Sequence, residues 1–199
     1  NMARVFKNAI SFNQPIGDWN TSSVTGMAET FYGASSFNQT TGNWDTSSVS
    51  NMDSMFQGAS AFNQNLNAWD VSNVSNVEGM FYGASTFNQP IGDWNTSSAT
   101  VMANMFYGAT NFDQNLSAWD VSNVTSMTAM FRGASAFNQP IGDWNLTAMT
   151  LLNRMFYGAS NFNQAIGDWN VSAVTNMAEM FDGATAFNQD ISLWDVSAV

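Results

Sequence analysis

The sequence predicts an α/β fold: a right-handed solenoid of eight 25-residue coils, each with one short parallel strand and one short helix. The first observation behind this is periodicity, because all eight tryptophans recur at intervals of 25 residues and the sixteen phenylalanines form two series with the same interval. An unbroken period over eight copies is typical of repeat arrays, whose units stack to share one core. The second is that two different spacings of apolar residues alternate within each unit. The tryptophans are Trp19, Trp44, Trp69, Trp94, Trp119, Trp144, Trp169 and Trp194.

The whole chain is expected to be a single repeat array over residues 1–199. The units run approximately over residues 1–25, 26–50, 51–75, 76–100, 101–125, 126–150, 151–175 and 176–199. The pattern is already under way at Asn1, and the last unit is one residue short. We therefore interpret the chain as a segment of a longer array.

One half of each unit has the spacing of a short helix. After Val24, apolar residues follow at Met27, Phe31 and Ala34, which are offsets that share one helical face. A serine lies just ahead of this stretch, where a helix N-cap belongs. Gly33 lies where a C′ residue with positive φ belongs. We expect one or two helical turns here.

The other half predicts a strand. Ile16, Trp19 and Thr21 are spaced i, i+3 and i+5, which is the L-x-x-L-x-L spacing of a leucine-rich repeat. In such repeats a short strand contributes alternate side chains to the core, so the residues on either side of the tryptophan are expected to face outward. Strands of successive coils would then stack in parallel about 4.8 Å apart.

A weaker alternation has a period of two units. The units around Trp94 and Trp144 read PIGDWN, whereas those around Trp69 and Trp119 read NLxAWD. Because the alternation fails at both ends of the chain, we attribute it to duplication history and not to a structural period.

Three further stripes are interpreted as structural. The strict period of the tryptophans favours packing between coils over an aromatic platform for sugars or bases. The methionines occupy the same slots as Val77 and Leu152, which favours core packing over metal ligation. The Asn-Gln pairs that begin at Asn13 and Gln14 predict a ladder of side-chain amides that bond along the array axis.

Composition excludes several functions. The net charge is −11 and only four basic residues are present, which argues against nucleic acid and against an anionic membrane surface. The chain has no cysteine and no histidine, so thiolate metal sites, disulfides, cysteine or histidine nucleophiles and imidazole bases are excluded. No signal peptide, lipidation motif or apolar run of transmembrane length is visible.

One acidic residue per unit lies beside the tryptophan, so the strand face is expected to be negative. Carboxylates on neighbouring coils are candidates for binding a hard cation such as Ca²⁺, or for contacting a partner, although a solvated face is the competing interpretation. Eight equivalent acids on an open face argue against glycoside hydrolysis, which needs one acid of raised pKa in a cleft. The residues are Asp18, Asp45, Asp70, Asp93, Asp120, Asp143, Asp168 and Asp195. We predict no catalytic residue, no cofactor-binding residue and no cofactor other than this candidate Ca²⁺.

Several asparagines begin an N-x-S/T sequon. Four of them lie on the predicted strand face and would be glycosylation candidates in a secreted eukaryotic protein, namely Asn20, Asn95, Asn145 and Asn170.

The repeat resembles the BspA-like leucine-rich-repeat family, in the 25-residue variant of mycoplasma surface proteins. The resemblance rests on Trp119 to Met127 (WDVSNVTSM), then Met130 and Phe131, and then Gly133 to Gln139 (GASAFNQ), and it extends over the whole chain. It implies an extracellular or cell-surface solenoid with a role in adhesion or surface structure, and no catalytic residues. A cysteine that is common after the helix in such repeats is replaced here by alanines such as Ala34.

We therefore expect a non-enzymatic, extracellular repeat scaffold: a structural or adhesive segment of a long cell-surface or filament-forming protein. The expected partners are neighbouring repeats stacked end to end, and a host or surface protein or glycan. Neither nucleic acid nor direct membrane insertion is expected. The alternative is a binding module whose acidic face recognises glycan, Ca²⁺ or a protein. An ice- or mineral-surface binder ranks last, because the outward residues are not uniform.

Overall fold

The computed structural model describes residues 1–199 as a stack of eight turns of the chain, one per 25-residue unit. We call each turn a coil and number the positions within a coil from 1 to 25, so that Gly26 and Asn51 both occupy position 1. The chain contains no α-helix and no extended strand. The only β-structure is one parallel bridge residue in each of the second to eighth coils, at Gly26, Asn51, Asn76, Val101, Ser126, Leu151 and Asn176. The prediction of an α/β fold with one strand and one helix per coil is therefore wrong.

The predicted helix is instead a ribbon of turns bonded to the next coil. Backbone N–H groups at positions 2, 4, 6 and 8 donate to the carbonyls at positions 1, 3, 5 and 7 of the following coil. Phe81, for example, donates to Met105 at 2.9 Å, and Gly83 donates to Tyr107 at 2.7 Å. The N–H groups at positions 5, 7 and 9 close turns within the coil. Bonds that leave the segment in this way cannot form the i→i−4 pattern of a helix.

Positive φ angles recur within this ribbon at positions 4 and 8 of every coil. Position 8 is Gly33 (φ 67°) and its equivalents, so the prediction of positive φ at this glycine is confirmed. Position 4 is seldom glycine: Glu29, Asn104 and Ala129 have φ between 53° and 59°. Left-handed residues at a spacing of four interrupt any right-handed helix.

The predicted strand is two consecutive turns. Trp94 N–H donates to the Ile91 carbonyl at 3.3 Å, and Ala99 N–H donates to Thr96 at 2.9 Å, so each pair closes a four-residue turn. The connection to the neighbouring coil comes mainly from side chains. Trp94 Nε1 donates to the carbonyl of Leu66 in the preceding coil at 3.1 Å, and Thr96 Oγ1 donates to the carbonyl of Asp120 in the following coil at 2.9 Å.

The interior is one continuous hydrophobic cluster of 52 buried residues. Phe81 stacks on Phe87 of its own coil at 4.0 Å and on Phe106 of the next coil at 5.7 Å, and Trp94 stacks on Trp119 at 6.3 Å. Trp119 is only 3% exposed, and methionines such as Met105 are buried beside it. The core interpretations of the tryptophan and methionine stripes are confirmed.

The amide ladder is also confirmed. Asn38 Oδ1 accepts from the Asn63 N–H at 3.0 Å and from Gln64 Nε2 at 2.8 Å, and the same pair of bonds recurs along the stack. Asp113 replaces an asparagine here and accepts the equivalent two bonds through one carboxylate oxygen.

One residue of the two-unit alternation, the glycine of the PIGDWN units, lies close to the next coil. A Cβ on Gly92, at position 17, would lie 2.5 Å from the carbonyl oxygen of Asn115 in the next coil. Interior coils with a side chain at position 17 are those of Asn67 and Ser117, and the coils that follow these two have proline at position 15, namely Pro90 and Pro140. In these interior coils, a side chain at position 17 is therefore followed by proline at position 15 of the next coil.

No helix of the length and apolarity needed to cross a membrane is present.

Candidate functional site

The eight predicted aspartates are all exposed and lie along one side of the stack, on the two turns that replace the strand. They occupy two positions. Asp18, Asp93, Asp143 and Asp168 lie inside the first turn, at position 18, and Asp45, Asp70, Asp120 and Asp195 precede the second turn, at position 20.

The position-20 side chains cap the second turn. Asp45 Oδ1 accepts from the Ser47 N–H at 3.0 Å and from Ser47 Oγ at 2.6 Å. These bonds stabilise the charged carboxylate and lower the pKa of Asp45. Asn95 makes the same two bonds to Ser97 without a charge, at 3.2 and 2.8 Å. The local role of position 20 is therefore an Asx turn, for which aspartate and asparagine are interchangeable.

Asp70, Asp120 and Asp195 have a lowered pKa for the same reason. In each case the hydroxyl and N–H of the serine two residues ahead stabilise the charged carboxylate. Asp45 acts on Asp70 in the opposite direction, because a like charge nearby raises the pKa of Asp70. These two residues follow each other at position 20 of successive coils, and nowhere else along the stack do two acids do so at this position.

The aspartates are not brought together into a ligand cage. Alanine, asparagine and leucine interrupt the position-18 row, and no group of three or more metal-ligating side chains forms. In the middle of the row, Asp93 Oδ2 accepts from Asn67 Nδ2 at 3.1 Å. The aspartates form an extended acidic row, and one carboxylate oxygen of each aspartate at position 20 accepts a hydrogen bond from its own turn.

The four glycosylation candidates are all exposed at position 20. Each uses its Oδ1 to accept from the backbone N–H of the Ser or Thr two residues ahead, as Asn20 does from Ser22 at 3.1 Å and Asn170 from Ser172 at 3.2 Å. Asn145 makes the same contact with Thr147. The amide nitrogen, to which a glycan would attach, makes no hydrogen bond within the chain. Glycosylation at these sites stays a prediction.

Shallow clefts recur between neighbouring coils on this side. One of about 230 Å³ is lined by Pro90, Gly92, Asp93 and Asn115 among others. Another of about 260 Å³ is lined by the equivalent residues three coils further along the stack, around Gly167 and Asp168. Because the same cleft is repeated, the acidic row offers no single distinctive pocket.

A column of tyrosine and basic side chains, which the sequence reasoning missed, occupies position 7 of the ribbon. Tyr82 and Tyr107 stack with ring centroids 4.3 Å apart. The guanidinium of Arg132 lies 5.0 Å from the ring centroid of Tyr107 and 4.5 Å from that of Tyr157, which are cation–π distances. All four tyrosines of the chain are at this position, a signal that was available in the sequence.

Basic residues are confined to this column and to position 4 beside it. Arg4 pairs with Glu29 at 2.7 Å, and Arg154 pairs with Glu179 at 2.9 Å, in each case between neighbouring coils. Lys7 also pairs with Glu29. All four basic residues therefore lie on the turn ribbon, which also carries acids such as Glu29 and Glu179, and none lies in the acidic row.

Comparison with known proteins gives one match. The family model described as Mycoplasma protein of unknown function, DUF285, matches residues 1–90, 64–156 and 140–199, so the matched stretches extend over the whole chain. Neither the curated proteins nor the solved structures give a significant match.

Proposed function

Because the chain belongs to the Mycoplasma family of unknown function DUF285, whose description assigns no activity, we propose a function from the residues themselves. The chain is a non-enzymatic, extracellular repeat scaffold, a structural or adhesive segment of a long cell-surface or filament-forming protein. The finer assignment, to BspA-like surface repeats, rests on the WDVSNVTSM motif and its companions and belongs to the same proposal.

The observation that carries the proposal is the sameness of the junctions between coils. The same backbone bonds, the same tryptophan indole bond and the same amide ladder recur from coil to coil. The hydrogen bonds between coils join immediate neighbours, so stacking adds core with every unit and sets no length limit. Such a stack suits a rod that holds other parts of a surface apart or carries them outward.

The distribution of titratable groups supports a role without catalysis. The acids lie in open, repeated positions, and those with a lowered pKa owe it to turn caps or to ion pairs. A general acid would need the opposite shift, in a cleft unlike its neighbours.

Immunogold labelling of intact source cells, with an antibody raised against residues 1–199, tests the location and the scaffold role together. The proposal predicts label on the outer surface, along extended structures, before any permeabilisation. Label that appears only after permeabilisation would overturn the extracellular assignment.

A second candidate function is binding of Ca²⁺ or an acid-recognising partner by the acidic row, and the adjacency of Asp45 and Asp70 favours it. Each carboxylate has its Oδ2 free of hydrogen bonds. Calorimetry with Ca²⁺, and a glycan array for carbohydrate partners, test this function. A signal that the double variant Asp45→Asn/Asp70→Asn loses would support it, whereas an unchanged signal in that variant would reject this pair as the site.

A further inference from the structure

We propose that Tyr82 and Tyr107, in two adjacent interior coils, form an oxidative cross-linking site at which the two phenols couple into dityrosine. The co-reactant is hydrogen peroxide acting through a haem peroxidase, a class of oxidant that converts phenols to phenoxyl radicals by removing one electron at a time. The cross-link would join the two coils covalently. It is a property of the two side chains and does not depend on the scaffold function proposed above.

The two tyrosines are in direct face-to-face contact. Their ring centroids are 4.3 Å apart, and their ring planes differ by 9°. Equivalent rings of adjacent coils in the core are farther apart, at 5.7 Å for Phe81 and Phe106 and at 6.3 Å for the tryptophans of the same two coils. The phenols are therefore nearer to each other than these core rings, although they lie on the surface.

Backbone hydrogen bonds hold the pair in place on both sides. Before Tyr82, the Phe81 N–H donates to the Met105 carbonyl at 2.9 Å. After it, the Gly83 N–H donates to the carbonyl of Tyr107 itself at 2.7 Å. The two residues cannot separate along the stack unless these bonds break. Each phenol is thus held at a high effective concentration relative to the other, which favours coupling within one chain over coupling between chains.

No other tyrosines occupy adjacent coils. Gln57 separates Tyr32 from the pair, and Arg132 separates Tyr157 from it. The guanidinium of Arg132 lies 4.5 Å from the centroid of the Tyr157 ring, so that ring faces a cation and not a second phenol. The position-7 column therefore contains one contact between phenols and two isolated phenols, which serve as internal controls.

The pair is open to an oxidant, whereas the other readily oxidised side chains of the interior coils are covered. Both phenol rings are half-buried. The tryptophans and methionines of the same two coils, such as Trp119 and Met105, are buried in the core. The chain has no cysteine, so no disulfide competes for the oxidant or joins the coils in another way.

The coupling balances in atoms and electrons. Burial, and then the neighbouring Tyr107 phenol, raise the pKa of Tyr82, so this phenol is protonated near neutral pH and loses a proton together with its electron. The two phenoxyl radicals join through a carbon–carbon bond between ring carbons ortho to the oxygens. The hydrogens on these two carbons then transfer to the oxygens, which restores both aromatic rings. Two phenols are oxidised, and the two electrons and two protons that they release reduce one hydrogen peroxide to two waters.

The product requires a small movement of the rings. The new bond lies in the plane of both rings, so rings that start nearly parallel must turn about their Cβ–Cγ bonds as the bond forms. Because the rings are half-exposed, this rotation can proceed toward solvent and leaves the core undisturbed.

Peroxidase and hydrogen peroxide, added to the folded chain at low protein concentration, test the site. The expected product is a monomer that has lost two hydrogen atoms in mass and shows dityrosine fluorescence when excited beyond the absorption of tryptophan. Mass spectrometry of its proteolytic peptides should find Tyr82 joined to Tyr107. Wild-type dityrosine that forms only between different copies of the chain would overturn the proposal.

Two double variants with the same number of tyrosines separate the pair from the isolated phenols. Tyr32→Phe/Tyr157→Phe keeps the contact and should give the wild-type yield of monomeric dityrosine within about twofold, whereas Tyr82→Phe/Tyr107→Phe should give at least about tenfold less, because proximity sets the rate. Phenylalanine retains the ring and its stacking, and near-ultraviolet circular dichroism verifies that both variants are folded. Equal yields from the two variants would refute the site.

The same reaction in urea separates the effect of the fold from that of chain proximity, since Tyr82 and Tyr107 are also the nearest tyrosines in sequence. The unfolded chain should lose most of its preference for this pair, and an unchanged preference would contradict a role for the stacked contact. Closure of this loop restricts the unfolded chain, so the cross-linked monomer should have a Tm about 6–12 °C above that of the untreated chain. An unchanged Tm would reject a stabilising role for the cross-link.

Discussion

Replacement of Gly92 by alanine isolates the contact that makes neighbouring coils match. The new Cβ would lie 2.5 Å from the Asn115 carbonyl oxygen, about 0.9 Å closer than the 3.4 Å at which ordinary contact begins. The obstructing atom belongs to the backbone of the next coil and cannot rotate away, so the coils must separate locally. Overpacking of this kind costs about 1–3 kcal/mol, and the reduced entropy of the unfolded chain offsets about 0.4–1 kcal/mol of that. Gly92→Ala should therefore destabilise the chain by about 1–2 kcal/mol.

Thermal and urea unfolding, followed by tryptophan fluorescence, measure this effect. A loss of about 1–2 kcal/mol corresponds to a fall in Tm of about 2–8 °C for a cooperative chain of this length. The control is Ser117→Ala, at the same position of the next coil, where a side chain is already accommodated. It should change stability by less than about 0.5 kcal/mol. Because interior proline at position 15 accompanies a side chain at position 17, Asn115→Pro should recover part of the loss in a double-mutant cycle. A Gly92→Ala variant as stable as the wild type would refute the claim that this close contact requires glycine at this position.

Three further predictions concern the core and the acidic row. Ala99 lies where most coils have valine, beside a residual void of about 10 Å³. Ala99→Val should therefore stabilise the chain by about 1 kcal/mol. A lower Tm would show that the void cannot accept two methyl groups. Trp119→Phe removes the 2.9 Å indole hydrogen bond to the Ile91 carbonyl and part of the buried ring. It should lower the free energy of unfolding, measured with urea, by about 2 kcal/mol. An unchanged free energy of unfolding would contradict a role for this bond in joining coils. The pKa of Asp120 is lowered by the hydroxyl and N–H of Ser122, so its contribution to stability is present above its unfolded pKa of about 3.9 and is lost as pH falls through the lower folded value. On acidification from about pH 6 to pH 2, the Tm of Asp120→Asn should therefore fall less than the Tm of the wild type. An equal fall in both proteins would exclude this carboxylate as a source of acid sensitivity.

The sequence was sufficient for features that depend on side-chain period alone. Burial of the tryptophan, phenylalanine and methionine stripes follows from the unbroken 25-residue interval, because a residue repeated in every coil contacts its own copies. The amide ladder of Asn38 and Gln64 follows for the same reason. Positive φ at Gly33 was predictable, since glycine tolerates that region without steric cost.

The local backbone was not predictable from the same pattern. Offsets of three and four residues, as at Met27, Phe31 and Ala34, place side chains on one face of a helix, and the turn ribbon places them on one face as well. The difference lies in where the N–H groups point, which side-chain spacing does not report. Residues such as Glu29 with φ 55° gave no warning, because position 4 is rarely glycine.

The candidate site was likewise predictable only in part. The acidic row was placed on an exposed side from its position beside the tryptophan, and the structure confirms that exposure. The role of position 20 as a turn cap was missed, although its Asx-x-Ser pattern is a known signal for an Asx turn. The tyrosine and arginine column was missed because its residues differ in type from coil to coil, and a search for identical residues passes over such a stripe.

Hydrogen-bond scalar couplings measured by NMR on the isotopically labelled chain test most directly the claim that the turn ribbon joins coils in place of helices. The structure predicts a coupling from the Phe81 amide nitrogen to the Met105 carbonyl carbon, and from the Gly83 amide nitrogen to the Tyr107 carbonyl carbon, in the next coil. Couplings from these amides to carbonyls four residues earlier, Val77 for Phe81, would show a helix and contradict the account.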